Sequence, residues 1–519
     1  MIIRANYLSE ALNSIPATII ISKAPAGKIT SGGLSKVLML ADAEWGEPGK
    51  LYENVDSLSS FYSLLGGYGA KGAGYGGYRA FMNKRWSQID VMRPKQVSGT
   101  WGAGITGHAY KMVVHGVTNI AKFWFAPNGV KNAGPGKAGN EATLEVKKET
   151  GHDYPTYTIT FRNMKEIYPN VLWENLESTI NGVSDLAWVE TELNANHDPD
   201  DMTPAEKFGF GLDAGYAVTD FCQESTKQGL WKFKGRKNDK YGATIFGDFA
   251  DSPSWAQGAT IAALNAAMLD FGIKQDRFGM IMQPAKGATK AQMVAAMISA
   301  VQSEVGVMPY PHIYTSEASV EKSNQVLTGP QSWMAAALSY VPSEIDPGIL
   351  PVSKDVLYGI TGFENDLDGG EMQELSDVGV TCFYQDEDNR VPTILQGLTT
   401  SADRTREAYI YRRRMADEIE SAETKRLTQY RNAPIWQLKD EAAPAVESYL
   451  KELKGTEGKG RIKDYKLDYS LNTQATEDAG NFIIMQTIDL HSPAYRIILI
   501  STVGAGAIKF VYGETANQQ

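Results

Sequence analysis

The sequence predicts a mixed fold, α/β (α+β), interrupted by a β-rich insertion and bracketed by short strands at both ends. Three observations carry this reading. Helical and strand-like segments alternate over residues 34–93 and again over 241–502, as a layered α/β core requires. Between them, residues 94–240 hold short alternating strands divided by loops rich in Asn, Gly, Asp and Pro, the pattern of a β-sandwich or barrel. Residues 1–33 and 503–519 each hold an isolated apolar strand beside Gly or Pro, and a lone strand must find a partner edge.

Composition bounds the function. A chain of 519 residues suffices for three or four domain-sized units, each able to bury a core. Hydrophobic content of 43% and charged content of 21% match a soluble globular chain. The net charge of −11 argues against a broad basic surface, so direct nucleic-acid binding is not expected. Two cysteines, Cys222 and Cys382, cannot build a disulfide framework and suit a reducing cytoplasm. No basic n-region precedes an apolar stretch, so synthesis without a secretion signal is expected. No window reaches the roughly 18 apolar residues that insertion into a membrane needs.

Local patterns place the elements in order. Ala17–Ser22 is β-like and bounded by Pro16 and Pro25; Lys36–Ala41 is a continuous apolar run and reads as a buried strand. Asp56 is placed to cap a helix with Leu58, Phe61 and Leu64 or Leu65 on one face. A second helix is expected over Gly77–Trp86 and a strand over Gln88–Met92. In the insertion, strands are expected at Tyr110–Gly116, Ala121–Ala126, Thr143–Lys148, Thr156–Arg162 and Asp185–Leu193. Beyond it come an Ala-rich helix at Ile261–Leu269, a strand at Phe278–Gln283, a helix capped by Thr289, and an extended segment at Val305–Tyr314.

Motifs for catalysis or ligand binding fail on context. Gly67, Gly69 and Gly72 satisfy G-x-G-x-x-G, but a helix-like run precedes them where a dinucleotide fold needs a strand. Asn365, Asp366 and Asp368 before Gly369 resemble a calcium loop, yet position twelve falls on Leu375 instead of a carboxylate. His197–Asp201 reads as a solvated loop, and the six histidines form no metal-spaced pair. No P-loop and no G-x-S-x-G elbow occur. Catalytic residues, cofactors and metals are therefore expected to be none.

The C-terminal third is more informative. In "YIYRRRMADEIESAETKRL", Tyr411, Met415, Ile419 and Ala422, with Ala408 before them, form an apolar stripe at helical spacing. Asp403 and Thr405 suit the helix start and Lys425 and Arg426 its end. Arg406, Arg412, Arg413 and Arg414 fall on the remaining face, either solvated or as a charged contact with a neighbour. A second helix follows over Trp436–Leu453, with Leu438, Ala442, Val446 and Leu450 apolar; Pro444 either starts it or kinks it. Residues 401–466 hold 15 Lys and Arg against 12 Asp and Glu, a basic patch in an acidic chain. Strands then follow at Lys463–Tyr469, Asn481–Leu490, Ala494–Thr502 and Ala507–Tyr512, with Asn472 and Thr473 between the first two.

This order of elements resembles the core of contractile tail sheath proteins. It joins "GPQSWMAAALSYVPSEIDPGILPVSKDVLYGITGFEND", the Arg-rich helix, the second helix, the Asn-Thr turn and the terminal strands. The resemblance covers roughly residues 34–93 and 331–512. It implies a non-enzymatic subunit that polymerises with itself as stacked hexameric rings around a tail tube in a virion, assembled in the host cytoplasm. It also implies contacts with tail tube, baseplate and tail terminator proteins. Contraction would drive the tube through a bacterial envelope. The resemblance makes Thr18, Ile19, Ile20 and Ile21, with Ile508, Phe510, Val511 and Tyr512, candidates for strand addition between subunits. It makes Arg406, Arg412, Arg413 and Arg414 an inter-subunit charged helix, and Lys439, Lys451, Lys454 and Lys459 the tube contact. It gives the insertion an outward-facing position. A tailocin or secretion-type sheath and, from another class, a soluble α/β enzyme with a β-domain insertion remain the alternatives.

Overall fold

The computed structural model describes residues 2–4, 18–20, 36–41, 43, 45–55, 58–66, 89–95, 108–115, 118–131, 137–191, 199–209, 216–234, 241–247, 258–275, 278–316, 325–349, 356–357, 359–385, 391–403, 408–456, 460–491, 499–504 and 507–512. The expected helix at Gly77–Trp86 and the glycines Gly67, Gly69 and Gly72 lie outside these residues.

The first strands, β1 (Ile2–Arg4) and β2 (Thr18–Ile20), pair in parallel. Next, β3 (Lys36–Leu40) enters the core, where Val37 to Leu40 are wholly buried, as an unbroken apolar run requires of a strand covered on both faces. β4 (Leu51–Val55) and α1 (Leu58–Leu65) precede β5 (Ile89–Met92), and β4 pairs antiparallel with β5. Sequence reasoning missed β4 because Glu53 and Asn54 break its alternation. The cause is a bulge between Tyr52 and Val55, where Asn54 takes φ 57° and its amide donates to Asp90 Oδ1 at 2.8 Å.

The insertion builds β6 (Tyr110–His115), β7 (Thr118–Phe125), β8 (Thr143–Lys147), β9 (Thr156–Phe161), β10 (Met164–Tyr168), β11 (Ala187–Thr191) and β12 (Met202–Lys207). Two antiparallel sheets result, ordered β10-β9-β8-β12 and β11-β7-β6. Val113, Phe123, Phe125 and Val189 of one sheet and Leu144, Val146, Tyr157 and Ile159 of the other share one apolar cluster. The sheets are layered and do not close as a barrel. Tyr110 and Gly209 exchange backbone hydrogen bonds of 2.9 and 3.0 Å, so the chain enters and leaves this unit at one place. Trp45, from the core segment, reaches into its cluster, edge-on to Phe125 and Phe161 at 6.3 and 5.7 Å.

Residues 216–234, inside the expected insertion, pack elsewhere. Their hairpin, β13 (Cys222–Gln223) and β14 (Gln228–Gly229), carries Phe221, Leu230, Trp231 and Phe233 onto Leu38, Leu40 and Phe271 of the core. Gly229 has φ 57°, and an added Cβ there would stand 1.8 Å from the Phe221 carbonyl oxygen, so only glycine closes this turn.

The core continues through β15 (Tyr241–Phe246), α2 (Gly258–Gln275), β16 (Met280–Ile281), α3 (Lys290–Ser299), β17 (Gly306–Tyr310), β18 (Ile313–Ser316), β19 (Gln325–Thr328), α4 (Pro330–Tyr340), β20 (Ile360–Phe363), α5 (Gly369–Asp377), β21 (Val380–Gln385) and β22 (Pro392–Ile394). An eight-stranded sheet runs β22-β21-β17-β16-β15-β3-β5-β4, parallel except at its two outer strands. Alternate residues of each strand serve opposite faces. Val37, Met39, Val91 and Ile245 meet α1 and α4, while Leu38, Leu40, Met92 and Phe246 meet α2 and α3. Three α-β-α layers follow. Thr289 caps α3 as expected, exchanging hydrogen bonds with Gln292.

The C-terminal lobe comprises α6 (Ile410–Thr428), a π-helical turn at Leu438–Ala442, α7 (Ala443–Lys454), β23 (Asp464–Asp468) and β24 (Met485–Asp489), then β25 (Leu499–Gly504) and β26 (Ala507–Tyr512). Its cluster joins Met415 and Ile419 to Val446, Leu450, Leu453 and Ile462. The widened π turn stands directly before Pro444, which has no N–H to continue the α ladder, so the helix widens at that point. Asp403 does not start α6, and Thr405 lies outside the described residues. Leu398 and Tyr409 form a β-bridge, and Ile410 N donates to Gly397 O at 3.1 Å, which keeps Tyr409 extended until the helix begins.

Candidate assembly surfaces

Helix α6 decides how the C-terminal lobe joins the core. Its stripe behaves as expected: Ala408, Tyr411, Met415 and Ile419 are buried. The arginines do not. Arg414 is 1% exposed, with Nη2 donating to the carbonyls of Leu338 and Val341 at 2.6 and 3.0 Å. Those are carbonyls at the end of α4, so a buried cation caps a helix C-terminus. Burial lowers its pKa to about 10. Arg413 is equally enclosed, pairing with Glu304 at 2.6 Å and Asp417 at 2.7 Å. Burial disfavours its charge, but the carboxylates of Asp417, Glu304 and Glu420 together outweigh burial and hold it protonated.

Arg413 and Arg414 of the expected inter-subunit charged helix thus have partners within this chain. The helix is enclosed by the core on one side and the lobe on the other, so charges that read as a solvated face are satisfied inside the chain. Arg412 is half-buried, its guanidinium lying over Tyr409 and Tyr411 at 5.3 and 5.8 Å. Arg406 lies outside the described residues. Sequence reasoning missed Arg461, which donates to Glu344 and Glu418, each at 2.7 Å, and so ties the lobe to α6 and to the segment after α4. Only its place among lysines was visible in the sequence.

The candidate strands sit at the extremes of the described chain. Thr18, Ile19 and Ile20 form β2 and bond to β1, while Ile21 lies outside the described residues. Ile508, Phe510, Val511 and Tyr512 lie in β26, which pairs antiparallel with β25 from Leu499↔Tyr512 to Gly504↔Ala507. Both sheets, and the β23–β24 ribbon, have two strands among the described residues. A two-stranded ribbon keeps unpaired backbone groups on both outer edges and is marginal alone.

The lysine patch is partly neutralised. Lys439 pairs with Glu477 and Lys454 with Asp464, both at 2.6 Å, whereas Lys451 is exposed and Lys459 lies outside the described residues. The Asp464 carboxylate raises the Lys454 pKa. Trp436, beside the π turn, is 62% exposed, and sequence reasoning had used it only as a helix boundary. Asn472 closes the loop between β23 and β24. Its side-chain amide brackets Ile483, donating to the carbonyl and accepting from the backbone N–H at 2.7 Å each. Thr473 caps the short helix that follows.

Two of the residues weighed for chemistry hold the local structure. Asp368 and Glu371 form a capping box at the start of α5. Asp201 accepts from the Lys148 amide at 3.0 Å. Cys222 and Cys382 are free, buried thiols, each pushed up to about 12 by burial. Among the described residues no group of three His, Cys, Asp or Glu is placed to hold a metal, and no helix is long and apolar enough to cross a membrane.

A three-layer core, a two-sheet insertion and a helical lobe ending in ribbons define a structural class seen in solved proteins. The fold is similar to that of sheath tail proteins. A sheath tail protein from Listeria innocua aligns with TM-score 0.54 and 12% identity, over 94% of this chain and 96% of that one. A sheath tail protein from Desulfitobacterium hafniense aligns with TM-score 0.55 and 11% identity, over 89% of this chain and 97% of that one. At such identities the likeness concerns the fold. No family model matches the sequence, and no curated protein matches it.

Proposed function

We propose that this chain is the sheath subunit of a contractile tail, polymerising around a tail tube and contracting to drive that tube through a bacterial envelope. The observation that carries the reading is the fold match over nearly the full length of both chains. The ribbons at the chain extremes support it. Strands β2 and β26 supply apolar residues and open edges suited to pairing between subunits. Stacked hexameric rings, with baseplate and terminator proteins at the ends, are the assembly proposed. The β-sandwich is taken to face outward, and Lys451, with Lys454, to face the tube.

Electron microscopy of the purified protein tests the polymer: striated tubes are expected, and a monodisperse monomer at high concentration would overturn the reading. Deleting residues 1–22 or 505–519 should abolish tubes in sedimentation while circular dichroism stays unchanged. Long tubes from either truncated chain would remove the arms from the assembly mechanism.

A further inference from the structure

The contact between α6 and β24 holds more acceptors than donors. Glu423, on α6, is 5% exposed, and Gln486 stands opposite it on β24. Gln486 Nε2 donates to Glu423 Oε2 at 2.7 Å. The other two oxygens, Glu423 Oε1 and Gln486 Oε1, are buried without a hydrogen-bond partner among the described residues. A single proton on Glu423 supplies the missing donor. A neutral acid and an amide can pair reciprocally, O–H to amide oxygen and N–H to acid oxygen, which an ionised carboxylate cannot do.

The surroundings favour that proton. Burial pushes the Glu423 carboxyl up to about 8, and the carboxylate of Glu420, one turn earlier on α6, adds to the shift. Arg426, one turn later, opposes it, although its guanidinium is drawn over the ring of Tyr449 on α7 at 4.1 Å. Strand β24 presents the amide of Gln486, whose N–H bond to the carboxyl also opposes the shift without cancelling it, and β23 contributes the partly buried Tyr465.

We propose that Glu423 is a proton-held latch, its neutral acid fastening the β23–β24 hairpin to α6 and releasing it when the proton passes to solvent base. The hairpin leads into β25 and β26, so the latch sits at the root of the C-terminal strands. It holds whether or not the chain forms a sheath. The sign follows from linkage. Docked Glu423 binds its proton more tightly than an undocked one at 4.5, so the latch is complete below about 4.5 and is lost as pH rises to about 8. Across that window the opening equilibrium should rise by up to roughly tenfold per pH unit.

Hydrogen exchange on the full chain, at about pH 6 and about pH 8 and in one assembly state checked by sedimentation, reads the latch. After correction for intrinsic exchange, protection of residues 464–468 and 485–489 relative to β15 should fall by up to ~100-fold in the wild type. Glu423→Gln should keep wild-type protection at the lower pH and lose the slope. Gln486→Met, which spares the carboxyl, should be poorly protected at both. A flat wild-type profile, or an unchanged slope in Glu423→Gln, would overturn the latch.

Discussion

Replacing Arg414 by Met separates a buried structural cation from a surface contact. The guanidinium makes two short hydrogen bonds, to Leu338 O and Val341 O, and a longer one to Pro342 O at 3.4 Å. Charge-assisted hydrogen bonds are worth about 1.5–3 kcal/mol each, and carbonyls left bare in the interior cost a comparable amount. Methionine recovers part of the packing and spares the desolvation of a cation, so the two strong bonds set a net loss of about 3–4 kcal/mol. A residue on a solvated face would change stability by no more than about 0.5 kcal/mol. Urea unfolding of non-assembled protein should show the loss. Hydrogen exchange should place it at residues 336–342, because a chain of several units does not unfold in one step. Arg414→Lys should fall between, since one ammonium cannot span two carbonyls as the guanidinium does. If Arg414→Met unfolds like the wild type while assembly fails, the side chain serves a neighbour and its placement inside the chain is wrong.

Two further predictions concern the insertion and the lysine patch. Residues 108–209 expressed alone should unfold cooperatively on heating, and a chain with them replaced by a short linker, with Trp45→Ser to remove the exposed ring, should still form tubes; a disordered fragment or failed polymerisation counts against an autonomous outward unit. Reversing Lys451 and Lys454 to Glu should abolish tube-templated sheath and spare tube-free polymer, since screening over about 8 Å limits the attraction to direct contact; normal yield on the tube would move the contact to other residues.

The layered core was legible because strands such as Lys36–Leu40 are continuous apolar runs between helical periods, although Tyr241–Phe246 went unread. The sandwich was legible through strict alternation, as in Thr156–Phe161. What escaped depends on contacts distant in sequence. β4 exists because Asp90 receives the amide of a bulged Asn54, and nothing local signals that. The burial of Arg413 and Arg414 escaped for the same reason. Arg413 and Arg414 lie beside the apolar stripe, and their partners Glu304 and Leu338 are far away in the chain. The arm strands were visible as strands, but a single sequence carries no mark of whose edge they join.

The ties around α6 have a mechanical consequence. Arg413 fastens the helix to the segment before β17, Arg414 fastens it to the end of α4, and Arg461 fastens the lobe back to both α6 and Glu344. Load applied at the terminal ribbons thus reaches the eight-stranded sheet through several bonds that share it side by side. None can lengthen alone while the others hold. The compliance of the subunit then lies in the links on either side of this joint, and a pull on the lobe turns the core with it, as a handle turns a shaft.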